Sequence, residues 1–395
     1  MSEFRTIREL CSVVVDCPHS TPKWTANGKI VIRNKNIKHG KIDFSSPSYT
    51  DDEHFAQRIK RAKPQPGDII ITREAPIGDV GMIPENTECC LGQRMVLLRA
   101  NQSVCDNFYL LYSLQSLYVQ HQISWSEGTG TTVSNLRIPH LEQIQIPYLP
   151  LEQQAKISSV LRALEEKIEN NRRLNDNLEQ QAQSYFQELF VDNASPEWTT
   201  GTISDLGTVV GGSTPSKAKP EYYTESGIAW ITPKDLSINK SKFVSHGEND
   251  ITELGLKNSS AAIMPEGTVL FSSRAPIGYI AIAAGEVTTN QGFKSVVPKP
   301  EIGTPFVYFF LKNTLPVIEG MASGSTFKEV SGSTMKNAPA VIPDAETLAK
   351  FSDFCAPIFK QQRTLEEQNQ SLAKLRDSLL PKLMSGEIDV SAVQL

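Results

Sequence analysis

The stretch Gly211-Gly212-Ser213-Thr214-Pro215-Ser216-Lys217 is the nearest thing in this chain to a phosphate-cradling loop. Such a loop needs a second glycine where Ser216 stands, so its backbone amides cannot converge on an anion. Asp68 and Glu74 are spaced like a nuclease pair of acids, but the run ends in Ala75-Pro76 where a lysine is wanted. Neither a Gly-x-Ser-x-Gly elbow nor a His-Glu-x-x-His helix occurs. The histidines, His19, His39, His54, His121, His140 and His246, show no metal-ligand spacing. Asn337-Ala338-Pro339-Ala340 is not the tetrad with which methylases hold a flipped base. The expectation is a chain without catalysis, metal or cofactor. What remains are cations and amides. Arg58, Lys60, Arg61 and Lys63 fall within six residues, a local cluster of the kind that neutralises phosphates, or else a solvated charged face.

The elements that would position such groups are written twice. Ala75-Pro76-Ile77-Gly78 returns as Ala275-Pro276-Ile277-Gly278. Pro66-Gly67-Asp68-Ile69-Ile70 parallels Glu266-Gly267-Thr268-Val269-Leu270, and Leu91-Gly92-Gln93-Arg94 parallels Gln291-Gly292-Phe293-Lys294. Further matches pair Ser20-Thr21-Pro22-Lys23 with Ser213-Thr214-Pro215-Ser216, and Gly128 to Thr131 with Gly324 to Phe327. Each half then reaches an Ile-Pro pair, at Ile146-Pro147 and Ile342-Pro343. Six matches in one order mean duplication. Within each half the runs 68–72 and 80–83, and 268–272 and 279–283, are predicted strands with a turn between them. Amphipathic helices are predicted at 107–115 and 305–313.

After each Ile-Pro pair, Pro and Gly vanish and Glu, Gln, Leu and Asn take over. Ile157, Leu161, Leu164, Ile168, Asn171, Asn175, Leu178, Ala182, Tyr185 and Leu189 step by four and three. So do Phe351, Phe354, Ile358, Gln361, Leu365, Gln368, Leu372, Leu375 and Leu379. A sustained 3.5-residue period is a coiled-coil seam, here about 50 Å long at 1.5 Å per residue. Asn171, Asn175, Gln361 and Gln368 are the polar seam positions that fix register and partner. With two such stripes, each helix has the other as its partner. The predicted architecture is α+β: two β-rich globules related by duplication and separated by two long antiparallel coiled-coil helices. The segments are 1–150, 151–192, 193–345 and 346–395.

The chain carries 39 basic and 44 acidic residues, a formal charge of −5, and therefore no whole-chain basic footprint. Residues 1–150 hold 16 basic against 15 acidic groups, whereas 151–195 hold 5 against 8. The acidic excess thus sits largely on the first long helix. The six cysteines show no CxxC and crowd the first third, which fits reduced thiols in a cytoplasm. No run approaches the ~18 apolar residues of a membrane span, and the start MSEFRTIREL lacks a secretory core.

The whole chain resembles the specificity subunits of type I restriction–modification systems. The resemblance rests on the repeated strand–turn ending Pro-Ile-Gly, on Gly211 to Ser216, and on the helix endings Leu174 to Phe190 and Leu379-Leu380-Pro381-Lys382-Leu383-Met384-Ser385-Gly386-Glu387-Ile388. It implies two target-recognition domains reading the halves of a split double-stranded DNA sequence. It also implies spacer helices that bind two adenine methyltransferase subunits, a restriction–translocase subunit that joins for cleavage, and no membrane. Because the halves differ, with Arg33 against Thr232 and Glu74 against Arg274, the target should be asymmetric.

Reading bases needs paired donors or acceptors on held loops: Arg or Lys for guanine, Asn or Gln for adenine. The candidates recur in both copies. They are Ser20, Thr21 and Lys23 with Ser213, Thr214 and Lys217; Arg33 and Lys35 with Lys234; Arg73 with Arg274; Gln93 and Arg94 with Asn290 and Gln291; and Thr129 and Thr131 with Ser325 and Thr326. The competing reading of each Ser or Thr is turn chemistry. Trp24 and Trp230 read as core residues. The alternative function is a coiled-coil scaffold whose globules bind proteins; the repeated basic and polar loop set argues against it.

Overall fold

The computed structural model describes residues 3–38, 40–125, 135–324 and 328–390. The chain divides into two compact units, Met1–Lys167 with Ser371–Leu395, and Ile168–Gln370.

In the first unit Ile69–Thr72 is buried along its whole length because both faces of its sheet are covered. Side chains alternate across a strand, so Ile69 and Ile71 enter one apolar cluster and Ile70 another. The neighbouring strand Met95–Ala100 divides in the same way, Val96 and Leu98 to the first cluster, Met95 and Leu97 to the second. The antiparallel sheet runs Cys11–Asp16, Met95–Ala100, Ile69–Thr72, Val80–Met82. A second sheet joins Lys29–Ile32 to Cys89–Leu91 in parallel. Glu3–Thr6 pairs with Gln145–Tyr148, which carries the first Ile-Pro step.

The second unit repeats this. Gly207–Gly211, Lys294–Pro298, Val269–Ser273 and Ile277–Ala283 take the same order, with Phe243–Val244 added at the edge. Val269 and Phe271 face one cluster and Leu270 another. Ile228–Ile231 pairs in parallel with Thr288–Thr289, and Thr199–Thr202 pairs antiparallel with Pro339–Ile342. Both Ala75-Pro76 and Ala275-Pro276 are cis. The turn that follows is held alike in both copies: Asp79 N donates to Thr72 Oγ1 at 2.9 Å and Tyr279 N to Ser272 Oγ at 2.8 Å. The predicted helices appear as Asn107–Gln115 and Thr304–Gly320. In the first copy the chain breaks at Ser116, whose extended backbone starts a separate helix, Leu117–Trp125; the second copy runs on through Pro316.

The two long helices are Leu151–Gln187, followed by a π turn over Glu188–Asp192, and Ala345–Met384. They pair antiparallel in each unit. In the first, Ile157 and Leu161 pack in one cluster with Leu379, Leu380, Leu383 and Met384. In the second, Asn171 meets Gln368, Asn175 meets Glu366, and Tyr185 meets Phe351. On the first helix Ile157, Leu161, Ile168, Asn171 and Ala182 are buried, and Leu164, Asn175, Leu178, Tyr185 and Leu189 half-buried. Leu189 sits in the π turn rather than the α-helix.

The second helix departs from the expected seam. Phe351, Ile358 and Leu365 are buried, but between them Cys355 and Gln362 face inward, not Phe354 and Gln361. Heptads alternate steps of three and four, and the alternation here begins with four. Phe354 is 39% and Leu375 45% exposed. Leu372 and Leu379 are half-buried. At the position after Leu375, Arg376 reaches Glu165 at 3.9 Å. The pattern favoured Phe354 because phenylalanine is the larger apolar group. The structure instead places it on the flank, its ring tilted against that of Tyr185 with the centroids 4.5 Å apart.

All six cysteines are free and buried, and burial pushes the Cys11 thiol up to about 12. Among the described residues no helix is long and apolar enough to cross a membrane.

Candidate nucleic-acid interface

Each unit opens a cleft where the turn after its central strand meets two other loops. In the first unit the cleft is about 330 Å³, and its lining includes Trp24, Arg33, Lys35, Gln93 and Arg94. The parallel pairing of Lys29–Ile32 with Cys89–Leu91 delivers Arg33 and Gly92 side by side, since each follows its strand directly. Gly92 N donates to Ile32 O at 2.8 Å. A Cβ on Gly92 would come within 2.6 Å of the Ile32 carbonyl, so only glycine fits this approach. Arg73 N donates to Arg94 O at 2.8 Å, fastening the turn to the same loop. Arg94 itself sits in the left-handed region at φ 64. For a non-glycine residue this costs on the order of 1–3 kcal/mol and is common where a side chain must be aimed. Its side chain is 59% exposed, with Nε beside Glu74 at 3.2 Å. Arg33 lies over the Trp24 ring, 5.0 Å from its centroid. Among the described residues, three cations and no carboxylate line this cleft, with Glu74 at its edge beside Arg94.

The second cleft is about 490 Å³, and Thr214, Lys217, Lys234, Arg274, Asn290 and Gln291 contribute to it. Gly212 crosses so close to its neighbour that a Cβ would meet Asn290 O at 2.1 Å. Trp230 Nε1 donates to Ser213 O at 3.0 Å and Tyr223 Oη to Pro215 O at 2.6 Å, holding the Ser-Thr-Pro loop from below. The Thr214 hydroxyl is hydrogen-bonded to Gln291 Oε1. Here the lining also includes Asp235 and Glu248. Glu248 pairs with Lys234 at 2.5 Å. Arg274 pairs with Glu329 at 3.4 Å. The two clefts are thus built alike and charged differently.

Not every expected residue reaches a cleft. Ser20 and Thr21 are exposed beside the first one, and Lys23 pairs with Asp51 at 3.2 Å. Arg73 turns inward: Nη1 donates to both carboxylate oxygens of Asp16 at 2.9 and 2.8 Å, and Nε to Leu136 O at 2.8 Å. Arg274, the arginine expected to act with it, does line the second cleft, but it stands at the position of Glu74; the residue matching Arg73 is Ser273, whose N donates to Gly292 O at 2.7 Å. Ser213 is half-buried and takes part through its backbone. Thr129, Thr131, Ser325 and Thr326 lie outside the described residues.

Two readings of the sequence need correction. Trp24 is no core residue but 45% exposed at the first cleft; Trp230 is buried. The Arg58 to Lys63 cluster is not one basic face: Arg58 is 6% exposed with its guanidinium turned inward, and Lys63 pairs with Glu88 at 2.9 Å. Asp68 is buried in a two-pronged ion pair with Arg99, 2.7 Å in each contact, away from Glu74. The chemistry available to both clefts is therefore hydrogen bonding and charge. Among the described residues no group of three or more His, Cys, Asp or Glu could hold a metal. Asn34 and Asn249, which also line the clefts, were missed, because asparagines beside turns read as turn formers.

Comparison with known proteins points one way. The family model described as the type I restriction modification DNA specificity domain matches twice, over residues 3–180 and 196–374. A stretch of 192 residues, 48% of this chain, is 38% identical to the type I restriction enzyme MjaIX specificity subunit of Methanocaldococcus jannaschii. It spans only 44% of that relative's length. The putative type I restriction enzyme MjaX specificity subunit of the same organism is 21% identical over 98% of this chain and 94% of its own. The crystal structure of the type I restriction–modification S subunit from M. genitalium shares the fold, with a TM-score of 0.62 at 19% identity over 97% of this chain and 96% of that one.

Proposed function

Because this chain belongs to the family of type I restriction modification DNA specificity domains, carrying that domain twice, we propose that it is the non-catalytic subunit that chooses where such a complex acts on double-stranded DNA. Residues 1–150 and 193–345 serve as target-recognition domains, and 151–192 and 346–395 as spacer helices. Each cleft reads one half of a bipartite target. The halves differ because the linings differ: Arg33, Lys35 and Arg94 with Gln93 in one, Lys217, Lys234 and Arg274 with Asn290 and Gln291 in the other. The partners are two adenine methyltransferase subunits, which methylate the chosen site, and a restriction–translocase subunit, all acting on cytoplasmic DNA.

The observation that carries this reading is a duplicated cleft lined both times by cations and amides, with Lys35 and Lys234, and Gln93 and Gln291, at matching loop positions. Arg and Lys suit guanine, and Asn and Gln adenine. A protein-binding scaffold would not need the same polar groups at both sites. The test is selection from a random-sequence duplex library by the chain co-purified with its methyltransferase subunits. A motif of two unlike halves around a fixed gap is expected, with affinity falling steeply as salt rises. Enrichment of no motif, or of a single uninterrupted one, contradicts the proposal.

A further inference from the structure

Arg58 ends a short helix, Asp52–Arg58, and its side chain goes into the first unit rather than out to solvent. Its guanidinium meets no carboxylate among the described residues. Instead it donates to four backbone carbonyls on two separate loops: Nε to Leu91 O at 2.7 Å, Nη2 to Gly92 O at 2.8 Å, Nη1 to Ser20 O at 2.9 Å, and Nη2 to Pro18 O at 3.2 Å. One of these loops leads into Gln93 and Arg94 of the cleft lining, and the other into Pro22 and Trp24. The same loops touch once more where Gln93 Nε2 donates to His19 O. A planar fork with five fixed donors can bridge two strands of backbone in this way; a lysine cannot.

We infer that Arg58 is a positioning residue for the first recognition cleft: it never touches DNA but fixes the spacing between the Trp24 side and the Arg94 side, and so sets base discrimination at one half of the target. The inference rests on the reading of the clefts as DNA readers. Among the described residues the second unit has no such arginine. There Trp230 and Tyr223 hold the corresponding loop, so loss of Arg58 acts on one half-site only.

The variants are Arg58→Lys, which keeps the charge but not the fork, and Arg58→Met, which keeps most of the stem. Amide hydrogen exchange is compared with the original chain first. Exchange at the hydrogen-bonded amides that anchor these loops, Cys17 to Met95 O, Gly92 to Ile32 O and Arg73 to Arg94 O, should rise about tenfold by local opening, while strand Ile69–Thr72 stays within about twofold. Next, the chain co-purified with its methyltransferase subunits is offered a random-sequence duplex library. Discrimination at one half of the motif should fall about tenfold, the loss of roughly one paired base contact, with the other half unchanged. That half should be the one altered by Gln93→Ala. Unchanged exchange in the two loops overturns the inference, as does an equal loss at both halves. If neither variant folds, Arg58 serves the core and the inference falls. If the unsubstituted chain enriches no motif, the functional reading fails, and exchange alone decides whether Arg58 holds the loops.

Discussion

A guanidinium lying over an exposed indole, as Arg33 lies over Trp24, is held in place without being neutralised. It stays free to meet a phosphate or a guanine edge. Arg94, aimed by a left-handed backbone, is instead paired with Glu74 at 3.2 Å. In the second cleft Lys234 and Arg274 also face carboxylates. Arg33 should therefore supply more of the salt-dependent attraction than these paired cations. Arg33→Gln is expected to lower the slope of log affinity against log salt by about 0.9, the effect of one lost phosphate contact. Arg94→Gln and Lys234→Gln should each change it less. Equal slopes for all three variants would show that the ion pairs open on binding. At this scale the residue types were legible in the sequence and their directions were not. Arg73 follows a strand and looks free, but Asp16, far off in sequence, captures it. Trp24 looks like core by type, but it sits on an exposed loop with the Arg33 guanidinium over its ring.

At the scale of elements, the paired helices carry a polar centre. Glu179 meets Lys242 at 2.7 Å, Lys312 at 2.6 Å and the Tyr308 hydroxyl at 3.1 Å, all within the second unit. Lys242 also donates to Gln362 Oε1 at 2.8 Å and lies 3.7 Å from the Phe359 ring centroid. Its backbone amide and that of Phe243 donate to Glu366 at 2.8 and 3.0 Å. Burial alone would raise the Glu179 carboxyl, but the two ammonium groups outweigh it and hold it at about 2; burial also pulls the Lys242 ammonium down to about 8. The Glu179 carboxyl is thus more acidic folded than unfolded. Its contribution is fully present above the unfolded value near 4.5 and is lost as pH falls toward 2. The thermal unfolding temperature of the original chain should fall through that window, and Glu179→Gln should remove part of the fall. The same variant at pH 7 strands Lys242 and should cost about 3–5 kcal/mol, with much of this recovered in the double variant with Lys242→Met. Full additivity of the two single losses would mean that the groups do not act as a pair.

The seam makes a second test at this scale. Denaturant unfolding should find Gln361→Ala and Leu375→Ala within about 0.5 kcal/mol of the original chain. Gln362→Ala should cost about 1–3 kcal/mol, because Lys242 loses a buried acceptor. The reverse order would restore the register read from the sequence. The period itself was legible over both helices. Its phase on the second helix was not, because inward positions there are filled by Cys355 and Gln362, residues that no apolar count selects. The Lys242 cluster was equally hidden, since a lone lysine and a glutamate 63 positions apart carry no pattern.

For the whole molecule, duplication was the most legible feature. Strand order, the parallel pair, the Ile-Pro strand and the turn hydroxyl all recur between the units. Net charge was the least useful guide: −5 overall says nothing of a cleft whose lining carries three cations. If the long helices set the gap between half-sites, deleting seven residues from both removes about 10 Å of helix, or about three base pairs. The recognised gap should shorten accordingly, with both half-sites unchanged. An unchanged gap would remove the spacer role while leaving the readers in place.

The most direct measurement is a base-resolution map of methylated adenines in the host genome, made for the original chain and for Gln93→Ala with Arg94→Gln. The original chain should mark one split motif with two unlike halves. The double variant should alter or relax one half and preserve both the other half and the gap between them. A contiguous motif, or a variant that changes both halves together, would contradict two separate clefts each reading its own part of the target.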